Sequence, residues 1–510
     1  MKPSTELFDL IKSLTKSEKR FFKLFSSLQA GEKNYSRLFD YIEKQNTYDE
    51  AVLKEHFKGA TFIKHLPSEK NHLYRLILKS LRQFYGEQSI SNIIKEEIKN
   101  VEILYNKALL KEASKVLKRA KKIAHENEEF YFLIDLIAWE KTLITAQYES
   151  GDFDVDLNKL IEEENLAIEK LRNLAEYHML YSKINALFRS DGFVKNPEQI
   201  QMVDEIAEHH LIKGKNTALS VRAATICYYI QGLCAAVKRD FETSYTKFHR
   251  TKHILDNSPK IKIDLGQRYM LTLFHLMQCY IDSEDFKMAQ SILDDISNLE
   301  GQKGFNSLQI SLRIRNIALT KQMYLYNLQG EFEKALTLFE SDQEKHLELI
   351  EKSNKESRIL FYFTMAYTYF GTDNFKSSLQ YANLLINDNE SKLRQDIYSF
   401  ARVLNLMLHY ELGNFEHLEY CSQSTIRYLN KNKQNHEVVN VFSKQLKKIG
   451  NNLEYPASLE QLQETLKQVQ SLLKEDNERV ILDFIDIESW LEAKIKAISF
   501  PEAIQAKFRT

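Results

Sequence analysis

The chain has 510 residues, 43% apolar and 28% charged, which is enough apolar material for a large core and excludes global disorder. Its 14 Gly and 6 Pro are about 4% of the residues where about 12% is usual, which argues against sandwiches, barrels and propellers with their many tight turns. Seventy basic residues meet 71 acidic ones, so net charge alone does not make the chain a polyanion binder.

The first 86 residues depart from that average. They hold 16 Lys and Arg against 10 Asp and Glu, a net of +6, and leave −7 for the remainder. Their helical blocks are separated by turn signals at Ala30-Gly31, Gln45-Asn46-Thr47, Lys58-Gly59 and Leu66-Pro67-Ser68. Two amphipathic helices carry the positive charge. Lys16, Lys19, Arg20 and Lys23 share one face opposite Phe21, Phe22, Leu24, Phe25 and Leu28. Arg75, Lys79 and Arg82 share another opposite Leu73, Ile77, Leu81 and Phe84. The stripes read either as solvated faces or as a basic patch for nucleic acid. Against the second reading, the Gly59 to Pro67 connection is long for a helix-turn-helix, and the basic helix has few Asn, Gln or Ser side chains to read bases.

Helical periodicity dominates the whole chain, and no segment shows sustained alternation with turn signals on both sides. Through the middle, a Gly, Asp or Asn is followed closely by Phe. The instances are Gly151-Asp152-Phe153, Arg239-Asp240-Phe241, Glu284-Asp285-Phe286, Gly330-Glu331-Phe332, Asp373-Asn374-Phe375 and Gly413-Asn414-Phe415. The Phe spacings are 88, 45, 46, 43 and 40, the first close to two periods of the others. A period of 40–46 residues implies serially stacked helix pairs. The local chemistry fits a turn between two helices: Gly or Asn relaxes the backbone, and an acidic residue or Asn caps the next helix. Three residues after the Phe stands a small residue, Ser244, Ala289, Ala335 or Ser378, which lets two helices approach. Phe248, Leu293 and Phe339 follow four further on, and Tyr280, Tyr326 and Tyr369 precede the Phe by six. An irregular unit is expected to start at Leu110, and another turn between Asp191 and Pro197.

The pattern resembles the tetratricopeptide repeat (TPR), best in the run from Tyr326 to Phe339 and over about Val101 to Gly450. The family's Trp and Leu-Gly positions are unmatched in that run, and the period exceeds its usual 34. The resemblance implies an all-α, TPR-like right-handed α-solenoid of helical hairpins with helical N- and C-terminal caps. The expected parts are a basic helical domain (1–96), the repeats (97–450) and capping helices (451–510). In the last part, a turn at Tyr455-Pro456 precedes helices near Ser458–Leu473 and Glu478–Ile498, with Pro501 expected to end the second.

Residues that would make an enzyme are missing from the linear sequence. There is no Gly-rich phosphate loop, no His-Glu-x-x-His and no Gly-x-Ser-x-Gly. Glu205, Glu208, His209 and His210 cluster on one segment, and Glu205 with His209 has the spacing for two ligands on a helix, but a polar surface turn explains them. Cys227, Cys234, Cys279 and Cys421 form no disulfide framework and read as small buried hydrophobes. With no signal peptide visible and no apolar stretch long enough to span a bilayer, the cytoplasm is the default location. The expected role is non-enzymatic: a scaffold or adaptor that binds a protein or peptide along a concave face, with no cofactor, no metal and no membrane. Candidate groove positions on the first helix of each pair are Arg222, Tyr228, Arg268, His275, Arg313, Arg315, Tyr362 and Arg402. The alternative is a regulator with a nucleic-acid-binding N-terminus and a TPR-like sensor region.

Overall fold

The computed structural model describes residues 4–27, 34–86, 89–149, 151, 156–194, 196–388, 392–432, 436–451 and 459–508. Among them all regular secondary structure is helical. The turn signals at Ala30-Gly31, Asp152-Phe153 and Tyr455-Pro456, and Leu28 of the first apolar face, lie outside the described residues. The chain divides into two compact units, Met1–Ile168 and Glu169–Thr510.

The first unit holds α1 (Glu6–Ser13), α2 (Lys16–Ser27), α3 (Asn34–Lys44), α4 (Glu50–His56), α5 (Leu66–Phe84), α6 (Ile90–Asn106), α7 (Leu110–Glu126), α8 (Phe130–Glu149) and the start of α9 (Leu157–Asp191). Phe22, Leu38, Phe39, Ile42, Leu73 and Ile77 form one core among α1 to α5. A second core joins Val101 of α6, Leu117 and Ala120 of α7 and Leu136 of α8. On α2 the expected apolar face is only partly used: Phe22 is buried, while Leu24 is 63% exposed.

The second unit continues with the end of α9, then α10 (Pro197–Ala207), α11 (His210–Lys213), α12 (Val221–Val237), α13 (Phe241–Asp256), α14 (Pro259–Asp264), α15 (Gly266–Asp282), α16 (Phe286–Asn298), α17 (Leu308–Leu328), α18 (Phe332–Glu340) and α19 (Gln343–Lys352). It closes with α20 (Lys355–Gly371), α21 (Phe375–Ile386), α22 (Gln395–Glu411), α23 (Phe415–Lys431), α24 (Glu437–Asn451), α25 (Leu459–Leu472), α26 (Asp476–Arg479), α27 (Ile487–Lys496) and α28 (Phe500–Ala506).

One turn recurs at the five described Phe positions, with a fixed hydrogen-bond pattern. Arg239, Glu284, Gly330, Asp373 and Gly413 each take the left-handed conformation, with φ between 58° and 69°. The next N–H then reaches back five residues, to the carbonyls of Ala235, Tyr280, Tyr326, Tyr369 and His409, at 2.8–3.0 Å. This is the Schellman closure of a helix C-terminus. Asp240, Asp285 and Asn374 then cap the following helix by accepting from the backbone N–H groups three residues on, those of Thr243, Met288 and Ser377. The small residues are where two helices need to meet: Ser244, Ala289, Ala335 and Ser378 are all at most 1% exposed. Gly371 shows how close that approach is, since a methyl there would lie 2.1 Å from the Phe332 ring. Leu109, ahead of α7, closes the same way on the Leu104 carbonyl, at the irregular unit expected near Leu110.

Successive helices pack in chain order: α12 on α13, α13 on α15, α15 on α16, α16 on α17, α17 on α18 and α20, and α20 on α21. The C-terminal segment instead doubles back. Asp483 pairs with Arg239 at 2.5 Å, the Asp486 N–H donates to Tyr367 Oη, and Gln505 donates to the Gly330 carbonyl. Pro501 does not end a helix. It sits in the first turn of α28, behind a Ser499–Glu502 capping box, where a missing N–H costs nothing. The helix before it has already ended at Ala497, which is left-handed.

Candidate functional site

Within the second unit, a cavity of about 230 Å³ lies between α9, α12, α13, α15, α17, α20, the start of α22 and the segment after α26. A single water needs only about 10–15 Å³, so the space is much more than a hydration pocket. Its walls combine aromatic rings with charged side chains. Phe248 stacks on His275 at 4.6 Å, with Phe188 and Tyr229 edge-on to the same imidazole. Burial among these rings lowers the His275 pKa to about 3, so the ring is neutral.

The charged groups fall into two classes. Arg189 pairs with Glu356, Arg239 with Asp483, and Arg394 holds Asp396 through two bonds of 3.0 and 2.6 Å. Asp396 is 1% exposed, so that last pair is buried. The other class, Arg313, Lys321 and Asp282, lines the cavity with no opposite charge within ion-pair distance among the described residues. Lys321 donates to Gln278 Oε1 at 3.2 Å and lies over the rings of Tyr324 and Phe274, at 4.5 and 5.1 Å. Burial lowers its amine to about 8 and raises the Asp282 carboxyl to about 6. Desolvation also lowers Arg313. Beside them, Asn316 Nδ2 and Thr320 Oγ1 are buried without a hydrogen-bond partner.

Of the eight groove positions read from sequence, His275 and Arg313 line this cavity. The other six lie elsewhere. Arg222 pairs with Asp264, and the half-buried Arg268 donates to Thr225 Oγ1 at 3.2 Å. Tyr228 lies under Lys247 and Arg250, Arg315 pairs with Glu300 at 2.7 Å, Tyr362 packs near Phe361 and Tyr381, and Arg402 covers the Tyr428 ring at 4.3 Å. Sequence reasoning missed Arg189, Lys321, Arg394 and Asp483. A usable signal existed for Lys321: with Arg313, Asn316 and Thr320 it sets polar residues at helical spacing along one side of a helix. Asp483 had none, because only the returning C-terminus brings it there.

The basic patch is split. Lys19 and Lys23 are matched by Glu43 and Asp40. Lys16, Arg20, Arg75, Lys79 and Arg82 are exposed and form no ion pair among the described residues. They stand on α2 and α5, which pack together, with Phe21 against Phe84 at 5.4 Å.

Around the acidic and histidine cluster, His209 caps α11 by accepting from Leu211 N–H. Among the described residues no group of three or more His, Cys, Asp or Glu is placed to hold a metal. Cys227, Cys234 and Cys279 are buried and Cys421 half-buried, all as free thiols. No helix of the described residues is long and apolar enough to cross a membrane. No family model matches the chain, and no curated protein is significantly similar to it.

Proposed function

We propose that this chain is a non-enzymatic binding protein of the cytoplasm, a TPR-like right-handed α-solenoid that holds a protein or peptide partner on its concave face. The observation that carries the reading is the origin of the cavity walls. Tyr229, His275, Arg313 and Leu360 come from α12, α15, α17 and α20, the helices that precede the recurring turn. Hairpins stacked in register present their first helices on one continuous inner surface, and a preformed surface spares ordering entropy on binding. The serial cores support the stacking, since each shares helices with the next along the chain. The paired cations and neutral His275 supply contacts and shape rather than a proton relay.

Affinity capture from the native cell with the full chain tests this. The partner held by the wild type should be lost from an Arg313→Glu, Leu360→Glu double variant that melts normally. Unchanged partners would remove the concave-face reading.

The unpaired cations on α2 and α5 favour a second reading, a regulator whose N-terminal helices contact nucleic acid. A gel shift with the full chain should then appear at low salt and fade as salt rises. No shift at low salt would eliminate it.

A further inference from the structure

Four polar groups stand on one side of α17 at spacings of three, four and one: Arg313, Asn316, Thr320 and Lys321, and all line the cavity. Each has unused hydrogen-bonding capacity. Asn316 and Thr320 are 4% and 5% exposed, and Asn316 Nδ2 and Thr320 Oγ1 have no hydrogen-bond partner among the described residues. Lys321 has three donors and one protein acceptor, Gln278 Oε1. Arg313 has no carboxylate within ion-pair distance, although Arg189, Arg239 and Arg394 on the same walls all do. Folded proteins rarely leave buried polar groups unmade, and buried charges least of all. Water can satisfy the amide and the hydroxyl. It cannot neutralise the charge, because the only unpaired carboxylate on these walls is Asp282 against two unpaired cations.

From this we propose that the cavity is a receptor site for an organic monoanion, a carboxylate carried on an aromatic or aliphatic body. The single excess positive charge selects a monoanion over a dianionic phosphate. Rings such as Phe188, Phe274, Phe363 and Phe484 supply the wall for the apolar body. Arg313 or Lys321 takes the carboxylate, and Asn316 and Thr320 hydrogen-bond polar atoms between them. The eight-residue separation of the two cations spans about 12 Å along the helix. That length suits either a free acid or the end of a short peptide. The inference deepens the partner-binding reading above by giving the chemistry of the group that enters the cavity.

The test is calorimetric titration of the full-length protein with four probes: 4-phenylbutyrate, the uncharged 4-phenylbutanol, and the N-acetylated peptide Ala-Ala-Ala-Phe with a free or an amidated C-terminus. At least one of the two acids should bind, and its uncharged counterpart at least tenfold more weakly. Lys321→Met or Arg313→Gln, whichever removes the cation that holds the carboxylate, should weaken that acid about tenfold or more, or abolish binding. Thr320→Val, the most conservative change, should weaken it a few-fold. Thermal melts without probe confirm that each variant is folded. Binding by 4-phenylbutyrate identifies a free acid as sufficient, and binding by the peptide acid alone identifies a peptide end. Equal binding of acid and uncharged counterpart, or unweakened binding by both Lys321→Met and Arg313→Gln, overturns the proposal. So does failure of both acids. If that failure comes with a partner captured through the concave face, the scaffold reading stands and only this inference falls.

Discussion

Arginine and lysine occur in two settings in this chain, and the contrast separates a surface from a site. On α2 and α5, Arg20, Arg75 and Lys79 stand in water without carboxylate partners among the described residues. Water solvates such cations at little cost, so their lack of partners says nothing by itself. Around the cavity of the second unit the same residue types are partly withdrawn from water, and there most have a carboxylate. Against that background, Arg313 and Lys321 are exceptions that need an explanation. Unpaired charge is informative in proportion to its burial.

The largest expected effect is at the best-buried pair. Asp396→Asn leaves the Arg394 guanidinium in place without its bidentate carboxylate. It should cost about 3–5 kcal/mol of unfolding free energy, read by urea denaturation, because a buried charge that loses its partner stays desolvated. A loss below about 1 kcal/mol would mean that solvent reaches these cations freely, and the contrast would disappear.

A smaller effect is expected at Lys321, and its signature is pH dependence. Burial holds this amine at about 8, below its ordinary 10.5. Between those values the folded protein has released a proton that the unfolded chain still holds. Lys321 therefore weakens the fold below pH 8, and that penalty is relieved as pH rises toward 10.5. The stability of Lys321→Met relative to wild type should be greatest below pH 8 and shrink between pH 8 and 10. A difference independent of pH would show that the amine is ordinary.

The smallest effect is expected on the surface helices. Arg20→Gln, Arg75→Gln and Lys79→Gln should each change stability by no more than about 0.5 kcal/mol. Any loss of function without a loss of stability would then assign these side chains to a partner, which sharpens the comparison from the other side.

The two settings were unequally legible in the amino-acid pattern. The turns were visible because their chemistry is local: a cap such as Asp285 or Asn374, a Phe after it and a small residue three further on all lie within a few residues. Even there, the left-handed position belongs to Arg239, Glu284 and Asp373 as well as to Gly330 and Gly413. Glycine alone would have revealed two of the five. His275 and Arg313 could be placed by their positions on first helices. Arg189 and Asp483 could not, since their partners Glu356 and Arg239 lie more than a hundred residues away in the chain. Pro501 was misread for a related reason: a proline that stops one helix and a proline that starts the next look alike until the cap at Ser499 is seen.

The state of one amine tests the whole account most directly. With lysine-selective 13Cε labelling of the full-length protein, NMR titration should show a resonance with a midpoint near pH 8 that is missing in Lys321→Met. Bound 4-phenylbutyrate or Ala-Ala-Ala-Phe should move that midpoint upward, because an anion beside the amine favours its charged form. If every lysine titrates near 10.5, whether or not an acid is present, then Lys321 is solvated like the surface lysines, and the cavity is not the receptor described here.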